Sequence, residues 1–290
     1  MKILLTGAGG FTGGVLLNTL LKHGHELITL CRKAPIHKKT GVTYKETDIK
    51  NIYDVLGTNI NIDAILHVAA SVNFDTSWDG ITQITSDNIL STQILANFAA
   101  DVNVKKFILS STCSVYEKNK GIIDEESPVR PLNYYAVSKL SAEWLAYSIL
   151  KNKVPEFGIL RYSSIYGDGQ RSNTILPIFV DKAIKNSNIK IFGSGNRIQD
   201  YVHVEDVASA NLLCLENKIG FADCYNIGSG DAVSDIQLAK TIIANWGSNS
   251  MIEILNLNQN EEIGFNFSIE KARKNLGYSP SSLVQGLRNY

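Results

Sequence analysis

A short apolar run that passes through a glycine loop into an amphipathic helix constrains this chain more than any other feature. Lys2-Ile3-Leu4-Leu5-Thr6 reads as a buried strand and Gly7-Ala8-Gly9-Gly10-Phe11-Thr12-Gly13 as the loop. Val15, Leu16, Thr19, Leu20 and Leu21 supply the apolar positions of the helix. In that order, strand, loop and helix make a cradle for a dinucleotide phosphate: the glycines let backbone approach the pyrophosphate, and the helix N-terminus attracts its charge. The spacing is G-x-x-G-x-x-G rather than the commoner G-x-G-x-x-G, and the competing reading is a glycine-rich turn. The position of the loop, opening the first strand-helix-strand unit of an α/β chain, favours the cradle.

Further apolar runs near 26 to 31, 63 to 69, 106 to 110 and 156 to 160 alternate with helical patterns, as a doubly wound parallel sheet requires. From about Gly167 the alternation weakens, and Thr174 to Lys185 and Ser234 to Asn245 read as helices between short strands and turns. The expectation is an α/β, Rossmann-type doubly wound sheet over residues 1–166, with a smaller substrate-binding lobe over 167–290 from which late segments return to the first sheet. A length of 290 residues and 44% apolar content suit that plan. The 28 basic residues balance 28 acidic ones, which gives no reason to expect nucleic acid or an anionic membrane as a partner. Cys31, Cys113, Cys214 and Cys224 show no C-x-x-C spacing, and neither a secretory h-region nor a membrane-length apolar run is present. A cytoplasmic location is expected.

The chemistry points to Tyr135-Ala136-Val137-Ser138-Lys139, which follows a strand-like run ending in Ser110-Ser111-Thr112. Residues four apart share a helix face, so the Tyr135 phenol and the Lys139 ammonium would lie together. Lys139 is expected to favour the phenolate, lowering Tyr135 from its ordinary value of about 10 toward working pH. Thr112 could bond the same substrate oxygen. The chain holds three Tyr-x-x-x-Lys pairs. Tyr116 with Lys120 lies in a polar loop-like stretch, and Tyr147 with Lys151 lies late in the helix that Tyr135 begins, so context selects Tyr135.

Taken in order, the motifs resemble an extended short-chain dehydrogenase/reductase of the nucleotide-sugar epimerase/dehydratase group. They are Thr6 to Gly13, Thr47-Asp48-Ile49, His67-Val68-Ala69-Ala70, Ser110-Ser111-Thr112 leading to Val115-Tyr116, Tyr135 to Lys139, and Leu160-Arg161-Tyr162 with Ile165-Tyr166-Gly167. Gly193 to Val207 and Leu276-Gly277-Tyr278-Ser279-Pro280 resemble the family's substrate-side segments. The resemblance implies Tyr135 as general acid or base, Lys139 as holder of the nicotinamide ribose, and Thr112 as orienter of the reacting oxygen, with no metal or covalent nucleophile. It places Gly7, Gly10, Phe11, Thr12 and Gly13 at the cofactor phosphates, Asp48 with Ile49 beside the adenine, and Ala69 and Ala70 along the cofactor's middle. Asp48 has a second reading as the cap of the turn that follows it. Asn88 matches a position that supports the active-site backbone, or is a surface Asn.

The second strand, ending Leu30-Cys31-Arg32-Lys33, lacks the acidic residue that NAD enzymes usually place there. Arg32 suits a 2′-phosphate, so NADP(H) is favoured over NAD(H), against the reading that these are solvated charges. The resemblance also bears on the reaction. The 4,6-dehydratase subgroup carries an acidic pair after its Thr, where this chain has Cys113 and Ser114, and that disfavours dehydration. A keto-sugar reductase using NADPH is the favoured reading, and a nucleotide-sugar 4-epimerase with bound NAD is the alternative. A reductase of a non-sugar carbonyl and a silent cofactor-binding regulator stand behind them. On the substrate side Gln199 takes the place of a diphosphate-binding Arg. Arg197 could substitute for it, Arg161 could bind an anion or an internal carboxylate, and Tyr166 and Tyr201 could stack on a base or pack in the core. The family implies a homodimer, pairing helices that begin near Thr82 and Asn133.

Overall fold

The computed structural model describes residues 1–118, 121–255 and 264–290. Its strands, in chain order, are β1 (Lys2–Thr6), β2 (Glu26–Cys31), β3 (Val42–Glu46), β4 (Ala64–His67), β5 (Lys106–Thr112), β6 (Glu156–Tyr162), β7 (Ser164–Tyr166), β8 (Ile189–Phe192), β9 (Ile198–Gln199), β10 (Tyr201–His203), β11 (Phe221–Ile227), β12 (Val233–Ser234) and β13 (Ile252–Leu255). The helices are α1 (Phe11–Lys22), α2 (Ile52–Leu56), α3 (Trp78–Ile84), α4 (Ser91–Asp101), α5 (Tyr134–Leu150), α6 (Ile175–Ile184), α7 (Val204–Glu216), α8 (Asp235–Trp246), α9 (Glu270–Leu276) and α10 (Leu283–Arg288).

Seven strands form one sheet in the order β11-β6-β5-β4-β1-β2-β3, every neighbouring pair parallel. This is the Rossmann-type arrangement expected from the alternating pattern. Parallel strands are covered on both faces, which is why the sheet reads as nearly unbroken apolar runs. β1 shows the division at single-residue resolution: Ile3 and Leu5 join the core under α1 and α7, while Leu4 joins the core under α4 and the end of α5. The order of connection reverses between β1 and β4, and the crevice at that switch point is where such sheets bind ligands.

Residues beyond Gly167 divide their contributions. β11 returns to the sheet edge beside β6, and α7 packs on α1. Lys106, at the start of β5 and 7% exposed, fastens this return. Its ammonium donates to the carbonyls of Cys214 (3.2 Å), Leu215 (2.8 Å) and Asn217 (2.6 Å) at the end of α7 and pairs with Glu156 at 3.0 Å. A cation there meets the negative end of the helix dipole. A third core, built from α6, β8, α8 and α10 around Phe179, Ile191, Leu238 and Leu287, belongs to the later half and is joined by Tyr166 from β7. Among the described residues no helix is long and apolar enough to cross a membrane.

Candidate active site

The glycine loop closes tightly on the segment after β4. Gly10 N–H donates to Gly7 O at 2.9 Å, and Gly7 adopts φ +78°. A Cβ on Gly7 would lie 2.6 Å from Ala69 N, and one on Gly13 would lie 2.0 Å from Gly7 O. α1 starts after Gly10 with no side chain capping it. The amides of Phe11, Thr12 and Gly13 are those that helix geometry leaves without intrahelical partners, and they open a twelve-residue helix. Close backbone approach and an uncapped helix end fit a dinucleotide pyrophosphate. Ala69 is half-buried and Ala70 exposed along the same crevice.

At the end of the crevice expected to take the adenine, Thr47 N–H donates to Cys31 O (2.9 Å), which sets Asp48 beside the end of β2, where Arg32 and Lys33 are exposed. Asp48 caps the turn Ile49–Asn51 by accepting from Lys50 N at 2.9 Å, the second of its two readings, and Ile49 packs against the core.

The three residues expected to carry the chemistry come together. Thr112 ends β5, is 8% exposed, and hydrogen-bonds the Tyr135 phenol. Asn133 starts α5 by accepting from Ala136 N at 2.8 Å, so Tyr135 sits in the first turn and Lys139 one turn on, 2% exposed. Phe74 meets the Tyr135 ring edge-on, centroids 6.1 Å apart. Of the other two pairs, Tyr116 is buried with its hydroxyl donating to Asn226 at 2.7 Å, and Lys120 lies outside the described residues. Lys151 stands 5.6 Å over the Tyr147 ring at the far end of α5.

One electrostatic expectation is corrected. Lys139 does not lower the Tyr135 phenol; burial pushes it up to about 12, and the Thr112 hydrogen bond offsets only part of that. Lys139 is itself pushed down to about 8 by burial, against the pull of Glu143. At Lys139, 2% exposed, desolvation outweighs the nearby carboxylate.

A supporting network was largely hidden in the sequence. His67 accepts from Thr6 Oγ1 at 2.7 Å through Nδ1 and donates to Thr92 Oγ1 at 3.0 Å through Nε2. This tautomer follows from the rest of the chain: Thr6 Oγ1 already accepts from Ala69 N (3.2 Å), and Thr92 donates to Asn88 O (2.6 Å). Burial, followed by the charge of Lys139, pushes His67 down to about 3, so the ring is neutral. Asn88, 1% exposed, accepts from Ser71 N (2.7 Å) and donates to Ser71 O (3.0 Å) and Ser138 Oγ (2.9 Å). It therefore ties the loop after β4 to α5, the supporting use rather than the surface one. The six residues Thr85–Leu90 that carry it form a π-helical stretch between α3 and α4, a device that redirects side chains at functional sites.

On the substrate side, two of the four expected residues are committed inside the protein. Arg161 is 8% exposed and makes a bidentate pair with Glu143, Nε to Oε1 at 3.1 Å and Nη2 to Oε2 at 2.7 Å. It anchors an internal carboxylate rather than facing an anion. Tyr201, 4% exposed, packs in the third core, as does Tyr166. Arg197 holds Asp235 at the start of α8 through contacts of 3.2 and 3.0 Å. Among the described residues the Gln199 side chain reaches its neighbour's carbonyl, Asp200 O, at 3.4 Å. Cys113 is buried and donates to Arg161 O at 3.1 Å, so it offers no acid to the crevice. Among the described residues no group of His, Cys, Asp and Glu could hold a metal ion.

Known proteins are similar to this chain over most of its length. The chain is 33% identical over 269 residues to a dTDP-D-glucose 4,6-dehydratase of Dictyostelium discoideum, a match covering 83% of this chain and 61% of that one. It is 28% identical over 304 residues to a UDP-glucuronate 4-epimerase of Thermodesulfobacterium geofontis, covering 98% and 93%. A solved UDP-glucuronic acid 4-epimerase from Bacillus cereus, in complex with UDP-glucuronic acid and NAD, superposes with a TM-score of 0.85 at 28% identity over 100% of this chain and 97% of that one. The Gly7 cradle and the Thr112-Tyr135-Lys139 group fall within residues 3–228, which match the NAD dependent epimerase/dehydratase family, and the chain belongs to that family.

Proposed function

We propose that this protein is a nucleoside-diphosphate-sugar 4-epimerase that keeps NAD bound through the reaction. The observation that carries the reading is the superposition, over the whole chain, on a UDP-glucuronic acid 4-epimerase solved with NAD and UDP-glucuronic acid. Identity to relatives alone does not separate epimerase from dehydratase, since a dehydratase is among them. Cys113 and Ser114, standing where dehydratases carry an acidic pair, favour the epimerase. The NAD in the solved neighbours also supports this alternative over the NADPH-dependent keto-sugar reductase favoured from Arg32, and NADP(H) is not carried forward.

Oxidised nicotinamide, when bound, supplies a hydride acceptor and a positive charge. Tyr135 takes the proton from the sugar 4-hydroxyl and returns it to the same oxygen once the ketone has presented its opposite face to the hydride. Thr112 orients that oxygen, and Lys139 holds the nicotinamide ribose. The positive charge brought beside Tyr135 opposes the burial that raises its phenol. The later lobe around α6 and α8 supplies the substrate side, with Arg197 and Gln199 at its rim.

Denaturing the purified protein and identifying the released nucleotide tests the reading. NAD is expected, together with formation of the 4-epimer from UDP-glucose or UDP-glucuronic acid without added cofactor. Arg32→Ala should leave NAD affinity unchanged. An empty protein that prefers NADPH and consumes it with keto-sugar nucleotides would establish the reductase instead.

A homodimer is part of this proposal. Trp78 on α3 is 83% exposed, and Trp144 and Val137 on α5 are 61% and 42% exposed, an apolar face spanning two helices beside the site. Sedimentation is expected to give a dimer that Trp144→Glu dissociates; a wild-type monomer at micromolar concentration would exclude it.

A further inference from the structure

α5 carries a third residue in register with its two reactive ones. Glu143 follows Lys139 as Lys139 follows Tyr135, so all three share the face turned to the sheet. Glu143 is 4% exposed and its carboxylate is fully engaged: Ser111 Oγ donates to Oε1, and Arg161 grips both oxygens from β6. Arg161 lies over the Tyr116 ring, 4.7 Å from its centroid, and the Tyr116 hydroxyl bonds Asn226 on β11. One carboxylate thus joins the helix bearing Tyr135 and Lys139 to three adjacent strands, one of them ending in Thr112.

We infer that Glu143, held by Arg161, is a positioning residue for Lys139, fixing its ammonium in the charged form that holds the cofactor. The inference rests on the proposed role of Lys139. A merely structural bolt needs no charge one helical turn from the reactive lysine, and a buried ion pair is often replaceable by apolar side chains without loss of stability. Here the carboxylate opposes the burial that pushes Lys139 down to about 8.

The charges around the lysine are few. From β4 it faces His67, which is neutral, and from its own helix Tyr135, whose phenol is pushed up to about 12. Glu143 and Arg161 face Cys224 on β11, a thiol pushed up to about 12 by burial, and Arg161 faces Tyr116, pushed up likewise. Burial is the largest influence and works against the Arg161 charge, but the hydrogen bonds and charge of Glu143, together with Cys224 and Tyr116, hold the guanidinium above its ordinary value. The side chains that carry the interaction are therefore Lys139, Glu143 and Arg161. Glu143→Gln removes the attraction and leaves Arg161 uncompensated, so the ammonium of Lys139 is lost at lower pH.

The test is NADH affinity of the nucleotide-free full-length protein, read by fluorescence from about pH 6 to about pH 10, a window that brackets Lys139. Wild-type affinity is expected to fall as Lys139 deprotonates, and in Glu143→Gln the fall should begin about one pH unit lower. Glu143→Asp, which keeps the charge but draws it back by one methylene, should shift in the same direction by less. It carries the test if Glu143→Gln does not fold. A folded variant with reduced melting temperature and an unmoved pH profile would overturn the inference and leave the bolt. A wild-type profile that is flat would remove the Lys139 assignment and this inference together. Because no sugar is used, failure of the epimerase reading leaves the result legible.

Discussion

Tyr135→Phe is expected to lower turnover by about 10² to 10⁴ fold, the usual weight of a positioned acid or base, while the protein keeps its fold and its bound nucleotide. The substitution removes one oxygen. It leaves the ring against Phe74, leaves the α5 cap on Asn133, and touches neither the glycine loop nor Lys139. Thr112 loses one partner but still accepts from Ser114 N, so little buried polarity is orphaned. Two measurements separate proton transfer from collapse of the site: nucleotide content of the purified variant, expected to match wild type, and turnover on the 4-epimerisable sugar. Turnover near wild type would remove Tyr135 from the chemistry. Loss of nucleotide along with turnover would instead make Tyr135 part of the cofactor's seat.

What was legible in the sequence was local. The strand, loop and helix at the N-terminus are set by short-range pattern, and so were the later helices: Thr174 to Lys185 forms Ile175–Ile184, and Ser234 to Asn245 forms Asp235–Trp246 with a capping box on Ser234. Such features depend on periodicity and caps within a few residues. What stayed hidden depends on which distant segments meet. Arg161 reads equally as an anion contact or an internal anchor until β6 is placed beside the face of α5 that carries Glu143. The reversal of the Tyr135 shift has the same origin, because spacing reveals the charged neighbour but not the burial that outweighs it. His67 stands in a motif that the sequence displays, yet its partners Thr6 and Thr92 come from β1 and α4.

Gly13→Ala is expected to reduce nucleotide affinity more than tenfold and to destabilise the fold by about 2 to 3 kcal/mol, the upper range for overpacking. Its Cβ would overlap Gly7 O at 2.0 Å and Gly7 C at 2.6 Å, both backbone atoms, so no side chain can swing away. Nor can Gly7 retreat: its carbonyl accepts from Gly10 N, and its Cα side faces Ala69 N and Cα. Relief therefore requires α1 to lift from the sheet, carrying the Phe11 and Thr12 amides away from where a pyrophosphate would sit. The adjacent glycine is the control. A Cβ on Gly14 would meet Ala8 O at 3.6 Å, an ordinary contact, so Gly14→Ala should be neutral or slightly stabilising through helix propensity. Melting temperature and NAD affinity of the two variants decide the matter. Equal behaviour would mean that the loop tolerates a side chain at Gly13 and that the close approach does not hold the cradle in shape.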